Sequence, residues 1–382
     1  MRLTGLAILM ILFQGFASGQ KFTDLLASLS LMGNEKKQLT LEKYIGEHTI
    51  PLIEESNTVF FFYKGLAKSV AIAGDATAWK PDLMMTRMEG TDYWYREATY
   101  EPDARLEYKI VVDGKDWILD PMNPQVIQGG MGPNSELLMP DYLPPMYTNE
   151  RDVVPWGTYF DTAFHSKTFD ERRQIRIYLP PHYEKSTERY PVAFFHDGFQ
   201  FFEMTDVRDI MDNMIYEGKI RPFIAVFVEP VKRDDEYSGK RQTKFMKYMF
   251  DELIPFIDQG YRTIPTSESR AQVGISNGGN IALWLVAANP QKNALAAAFS
   301  SNVQPSIYKT FGSIECTNQK IYLCLGKYDI PFLIPLVKNL QAVLDRKGCN
   351  YIFKEYPEGH NWKFWQKHLP EAFECFFPYQ GN

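Results

Sequence analysis

Between residues 58 and 140 the apolar positions come in short alternating runs. Residues 59–63, 69–73, 93–98 and 105–112 read as strands, separated by Gly-Asp, Asp-Gly and Pro-rich turns. Short strands at that spacing predict a β-sandwich over residues 57–142. The segment ahead of it, 20–56, is mixed, with one short amphipathic helix around 23–32. A Pro-rich linker follows at 143–156, carrying Pro144, Pro145 and Pro155. Beyond Gly157 the period changes. Apolar runs at 176–179, 190–195, 223–228, 271–274, 296–300, 321–325 and 351–356 alternate with helical stretches such as 245–261, 280–288 and 332–347. Buried strands alternating with helices predict a mostly parallel sheet covered on both faces, an α/β domain over 157–382.

Residues 1–19 belong to neither domain. Arg2, the apolar run 6–13 and the small residues Ala17, Ser18 and Gly19 read as a secretory signal peptide, too short for a membrane span. The mature protein is therefore expected to be exported, periplasmic or secreted, with no membrane span. With 382 residues, 45% of them hydrophobic, the chain can build sizeable cores. A net charge of −6 lacks the basic face that phosphate binding needs, so no nucleic-acid partner is expected. Cys316, Cys324, Cys349 and Cys375 all lie in the last quarter. Export permits disulfides, but four cysteines allow three full pairings, and Cys324, in an apolar run, reads equally as a buried free thiol. No His, Cys, Asp or Glu spacing matches a metal site, so no metal and no cofactor are expected. Oligomeric state is left open.

The sharpest motif is Gly274-Ile275-Ser276-Asn277-Gly278-Gly279, directly after one predicted strand and opening a predicted helix. Gly-x-Ser-x-Gly in that context is a nucleophile elbow, a strained turn that lifts the serine to the sheet edge with a helix N-terminus behind it. The serine needs a base. Of the six histidines, His360 alone lies in a small-residue loop, Pro357-Glu358-Gly359-His360, after a late strand. His48, His165, His182, His196 and His368 (which follows a helix) read as structural or surface groups. Asp329, just past the strand 321–325, completes the chain order Ser…Asp…His. Asp345 and Glu355 fall in a helix and mid-strand, and Glu358 is a further acid close to His360. Backbone donors for an oxyanion are expected from Asn277, after the nucleophile, and from Gly198 or Phe199 in the loop after the strand 192–195.

Arg176-Ile177-Tyr178-Leu179-Pro180-Pro181, the loop His196-Asp197-Gly198, the Ser276 elbow and Gly359-His360-Asn361-Trp362-Lys363-Phe364-Trp365 together resemble the esterase D-like α/β-hydrolases. Within them the chain is most similar to enterochelin (ferric enterobactin) esterases and to feruloyl and acetylxylan esterases. The resemblance spans about Trp156 to Phe377 and implies a serine carboxylesterase using Ser276, Asp329 and His360. A signal peptide departs from the cytosolic setting of many enterochelin esterases, and the motifs do not carry the identity of the ester.

The β domain has its own resemblance. Residues 71–75 with Trp79, then 108–117 with Asp120-Pro121, are similar to the early-set, immunoglobulin-like glycogen-binding domains. The resemblance implies carbohydrate binding at Trp79, Lys109, Trp117 and Asn134, where flat rings would stack on sugar or catechol faces. The same two tryptophans read equally well as sandwich packing. The expected function is an exported serine esterase acting on a small-molecule or polysaccharide ester of sugar, phenolic or siderophore type. The alternatives are a carbohydrate-binding protein with an inert hydrolase domain and an acyltransferase of the same fold.

Overall fold

The computed structural model describes residues 20–316 and 318–379, so the expected signal peptide lies outside the described residues. The first strands are β1 Leu52–Glu54, β2 Thr58–Lys64, β3 Val70–Gly74, β4 Leu83–Met84, β5 Thr86–Arg87 and β6 Tyr93–Thr99. After them come β7 Arg105–Val112, β8 Asp116–Ile118, β9 Val126–Gly129 and β10 Gly132–Leu138. They form two sheets, β1-β2-β6-β5 and β4-β3-β7-β10-β9, with β8 on the far half of β7. Alternation along β2 explains the packing. Val59 and Phe61 enter the inter-sheet core with Ile72, Leu106 and Tyr108, whereas Phe60 and Phe62 point outward.

Those outward rings are covered by α1 Phe22–Leu29 and α2 Asn34–Gly46, which bury Phe22, Leu25, Leu41 and Ile45 against them. Each ring so buried contributes about 2 kcal/mol. Residues 20–56 are thus the outer layer of the sandwich domain, with β1 paired to β2, rather than a separate segment. Only α1 was legible in advance. The apolar positions that α2 buries, Leu41, Tyr44 and Ile45, are confined to its second half, behind a polar run.

The second domain holds β11 Thr158–Ser166, β12 Glu171–Leu179, β13 Val192–His196, β14 Ile224–Val228, β15 Arg270–Ile275, β16 Leu295–Phe299, β17 Lys320–Tyr328 and β18 Asn350–Gly359. The order is β11-β12-β14-β13-β15-β16-β17-β18, parallel from β14 onward. Every residue of β13, β14 and β16 is buried, as strands covered on both faces must be. The helices are α3 Gly198–Met204, α4 Val207–Tyr216, α5 Arg233–Tyr237, α6 Gln242–Tyr248, α7 Ile254–Gly260, α8 Asn277–Ala288, α9 Pro305–Ser313, α10 Leu333–Lys347 and α11 Trp362–Phe376. α4 and α11 pack with Phe195 and Phe227 on one face, and α6 to α8 with Phe194 and Val226 on the other. This is the α/β-hydrolase arrangement the sequence predicts. A disulfide joins Cys316, after α9, to Cys349, before β18, while Cys324 and Cys375 are buried free thiols.

The domains are joined by more than the linker. β18 runs parallel to the start of β7, with Glu358 opposite Arg105, so the two sheets are continuous at that point. The linker itself is pinned: Asn213 Nδ2 donates to the carbonyls of Tyr147 (2.8 Å) and Asn149 (3.0 Å), and Val154 is buried. The turn between β9 and β10 consequently sits against the start of α11, with Gly130 beside the Trp362 indole.

Candidate active site

Ser276 lies between β15 and α8 with φ 55° and ψ −119°, a conformation a non-glycine residue holds only when its surroundings enforce it. Its N–H is anchored on the Phe299 carbonyl at 2.8 Å. A Cβ on Gly274 would overlap the Gly278 backbone, so the sharp strand-to-helix turn needs glycine there. Asn277 opens α8, and its N–H has no carbonyl within the helix to reach, which leaves it available to an anion at the helix N-terminus.

Asp329 follows β17 and His360 follows β18, so all three residues stand at the carboxyl ends of parallel strands in one sheet. His360 Nδ1 and Asp329 Oδ1 are 2.8 Å apart. Asp329 is 3% exposed, and Oδ1 also accepts the Ile330 N–H at 2.7 Å. Oδ2 is buried, and no group among the described residues donates to it. The His360 ring meets Trp365 edge to face, with centroids 4.9 Å apart. The rival acids are occupied elsewhere. Asp345 accepts from the Tyr351 hydroxyl at 2.5 Å, and Glu355 pairs with Lys338 at 2.8 Å. Glu358 turns to Lys367 (3.1 Å) and His368 (3.3 Å), so it is not a second partner for His360. Glu358 is still within β18 whereas His360 lies beyond its end at Gly359, so the two side chains do not share one strand face.

Of the other histidines, one is placed differently from the sequence reading. His368 lies inside α11 rather than after a helix. The helix begins at Trp362, directly after the His360 loop, and its aromatic start hides the boundary. His196 is the last residue of β13, fully buried, with Nε2 2.9 Å from Gln272 Oε1; burial pushes its pKa down to about 4.

The loop after β13 reaches the elbow. Asp197 has φ 64°, and its carboxylate is held by Arg233 through two bonds of 2.7 Å. Neighbouring Asp234 accepts from Asn277 Nδ2 at 3.0 Å, tying this loop region to the start of α8. Of the two amides considered for an oxyanion, Phe199 N–H is engaged, donating to Glu229 Oε2 at 3.0 Å. Gly198 is packed against the backbone of Phe227 and Val228, where no side chain fits.

A cavity of about 560 Å³ opens at His360. The sandwich contributes Trp79, Lys109, Trp117 and Asn134 to its wall; α11 and the loop before it contribute His360, Asn361, Trp362 and Trp365. Neither Trp79 nor Trp117 belongs to the inter-sheet core: Trp117 is 44% exposed, and the Trp79 indole donates to Asp75 Oδ1 at 3.2 Å. Asn134 is buried, and its Nδ2 donates to Glu107 Oε2 at 2.7 Å. The four residues that the sandwich resemblance singled out therefore do not form a site remote from the triad candidates. They line the same cavity as His360.

The family described as "Putative esterase" matches residues 166–376. The chain belongs to this family. The esterase is 34% identical over 141 residues to an endo-1,4-beta-xylanase/feruloyl esterase of Xylanibacter ruminicola, covering 34% of this chain but only 19% of that much longer one. Among solved structures, the ferric enterobactin esterase of Salmonella typhimurium superposes with a TM-score of 0.70 at 19% identity, covering 88% of this chain and 98% of that one. A ferulic acid esterase of Anaeromyces mucronatus gives 0.53 at 17% identity, covering 62% and 96%. The two structures share its fold. The esterase is a hydrolase acting on ester bonds.

Trp362, Trp365 and Asp75 went unnoticed as site residues in the sequence. Both tryptophans stand in the motif that follows His360, and an aromatic pair three apart at a helix start is the available signal. Asp75 stood in a Gly-Asp pair and read as a turn, although it is 4% exposed in the structure. No group of three or more His, Cys, Asp and Glu able to hold a metal ion occurs among the described residues. No described helix is long and apolar enough to cross a membrane.

Proposed function

We propose that the protein is an exported serine carboxylesterase whose triad is Ser276, His360 and Asp329. Its substrate is an ester of a sugar, a phenolic acid or a catecholate compound, and the ring-bearing part lies in the tryptophan-lined cavity. The observation that carries this reading is the cavity itself, which joins His360 to Trp79, Trp117, Trp362, Trp365 and the Lys109 ammonium. Flat indole faces take sugar and phenol rings, and a Lys at the wall suits hydroxyl-rich or anionic groups. The names of its relatives, a xylanase/feruloyl esterase and enterobactin and ferulic acid esterases, describe esters of that chemistry.

In this mechanism His360 takes the proton of Ser276 as Oγ attacks the ester carbonyl, and Asp329 holds the imidazole tautomer and stabilises the imidazolium. The oxyanion is met by the Asn277 amide and, because Phe199 is committed to Glu229, by Gly198. His360 then protonates the departing alcohol, and water, activated by the same imidazole, releases the acid from Ser276. The Cys316–Cys349 disulfide supports an oxidising destination.

The test is a fluorophosphonate adduct mapped by mass spectrometry, with p-nitrophenyl ester hydrolysis by wild type and Ser276→Ala. A panel of acetylated xylan, feruloylated sugar and catecholate trilactone then ranks substrates. An adduct elsewhere, or an active Ser276→Ala, removes the triad. Equal and poor turnover of the whole panel removes the substrate class.

A further inference from the structure

The chain neighbours of His360 on both sides are held by the other domain. Asn361 is 6% exposed, and both ends of its amide are taken by the sandwich. Nδ2 donates to Asp75 Oδ2 at 3.1 Å, and Oδ1 accepts from Arg105 Nη1 at 2.7 Å. The same Oδ1 accepts the Phe364 N–H at 3.0 Å, which caps α11. On the other side of His360, Gly359 lies flat on the Asp75 carboxyl, so closely that any Cβ would overlap it. Asp75 is itself oriented by the Glu107 N–H (2.9 Å) and the Trp79 indole (3.2 Å). Arg105 is braced by Glu136 (2.6 Å) and Glu107 (3.0 Å).

Stability alone gives no reason for this cluster. Removing buried charges from water costs several kcal/mol per ion, and well-packed apolar residues of similar volume often serve as well or better. Its geometry supplies a reason. The bond to Asp329 and the edge-to-face contact with Trp365 constrain the His360 ring, but neither holds the backbone that carries it. Catalysis by a base requires placement to a fraction of an ångström, and an error near 1 Å costs about a hundredfold in rate. Clamping Gly359 and Asn361 fixes the backbone from which the ring projects.

We propose that Asp75 and Arg105 are positioning residues for His360, acting through Gly359 and Asn361, so that the sandwich domain sets the rate of the chemical step as well as the shape of the cavity. The inference rests on the Ser276–His360–Asp329 reading, and the experiment separates the two.

Full-length variants are assayed with p-nitrophenyl acetate, which is too small to reach across the cavity, alongside thermal melting. Asp75→Ala removes the acceptor for Asn361 and the surface under Gly359. It should lower kcat about ten- to a hundredfold with little change in KM, and slow fluorophosphonate labelling of Ser276 in the same proportion. Asp75→Asn with its oxygen facing Asn361 and the Glu107 N–H loses only the acceptor of the Trp79 indole, and should recover kcat to within about fivefold of wild type. Asn361→Asp keeps the helix cap and the Arg105 contact but loses the donor to Asp75. It should lower kcat as well, and it decides the matter if Asp75→Ala does not fold. Wild-type kcat in either damaged variant, with only the melting temperature moved, overturns the proposal. So does an Asp75→Asn no better than Asp75→Ala at equal folded fraction. His360→Ala is the control: an active His360→Ala removes the triad reading. If it is inactive while the Asp75 and Asn361 variants run at full rate, only the positioning role is lost.

Discussion

Replacing Asp329 by Asn is the most informative perturbation of the proposed triad, because the structure makes an unusual forecast for it. In serine proteases of the trypsin type the equivalent change costs about 10⁴ in kcat through the wrong imidazole tautomer. Here Oδ1 of Asp329 accepts two donors, His360 Nδ1–H and the Ile330 N–H, whereas no group among the described residues donates to Oδ2. An Asn at 329 keeps both bonds by pointing its carbonyl oxygen at them and its NH₂ to the Oδ2 side. The reverse orientation would set NH₂ against two donors. The tautomer is therefore retained and only the negative charge is lost. A hydrogen bond to a charged acceptor exceeds one to a neutral acceptor by about 1–2 kcal/mol, so Asp329→Asn should cost only about five- to thirtyfold in kcat. Asp329→Ala removes the orienting bond as well and should cost on the order of 10⁴. Asp345→Asn, on an exposed carboxylate occupied by Tyr351, should leave kcat at the wild-type level. The assay is p-nitrophenyl ester turnover with melting recorded for each variant. An Asp329→Asn as slow as Asp329→Ala would refute the orientation argument, and an active Asp329→Ala would refute the acid itself.

Trp117→Ala should raise KM for a feruloylated sugar about three- to tenfold and weaken retention on insoluble polysaccharide. Because the ring is 44% exposed, melting should hardly change; unaltered KM and retention, or an unfolded variant, would return Trp117 to a packing role. His196, buried neutral with its pKa pushed down to about 4, contributes stability that is present above its unfolded value near 6.5 and lost as the pH falls. Between about pH 7 and pH 4 that loss should reach about 3 kcal/mol by chemical denaturation, and His196→Asn should lack it. Asp75 acts in the opposite direction: burial and the Glu107 carboxylate push its pKa up to about 7, so its contribution falls as pH rises from about 4 to 7. The wild-type minus variant difference isolates His196, and identical pH slopes in the two proteins would refute its role.

Local chemistry was enough to read much of this molecule from its sequence. The period-2 runs at 59–63 and 105–112 became β2 and β7, and the apolar runs at 190–195, 223–228 and 296–300 became β13, β14 and β16, strands buried on both faces and offset from those runs by one or two residues. The Ser276 elbow was legible because a strained strand-to-helix turn demands glycines at fixed offsets. Asp329 and His360 were legible because strand ends of a parallel sheet gather at one edge, and the structure pairs them at 2.8 Å. Tertiary structure alone decided what lies between the domains. Nothing in the alternation of residues 105–112 says that Arg105 will face Glu358, some 250 positions later, or that this bridge will join two sheets. Hence Asp75 read as a turn residue and Trp117 as either a sugar-binding ring or sandwich packing, although both line the cavity at His360. The disulfide partner of Cys316 and the cover that α1 and α2 give to Phe60 and Phe62 were undetermined for the same reason. Periodicity and turn chemistry report on neighbours within a few residues. Contacts between distant segments depend on the summed burial of whole faces, and that sum exists only once the chain has folded.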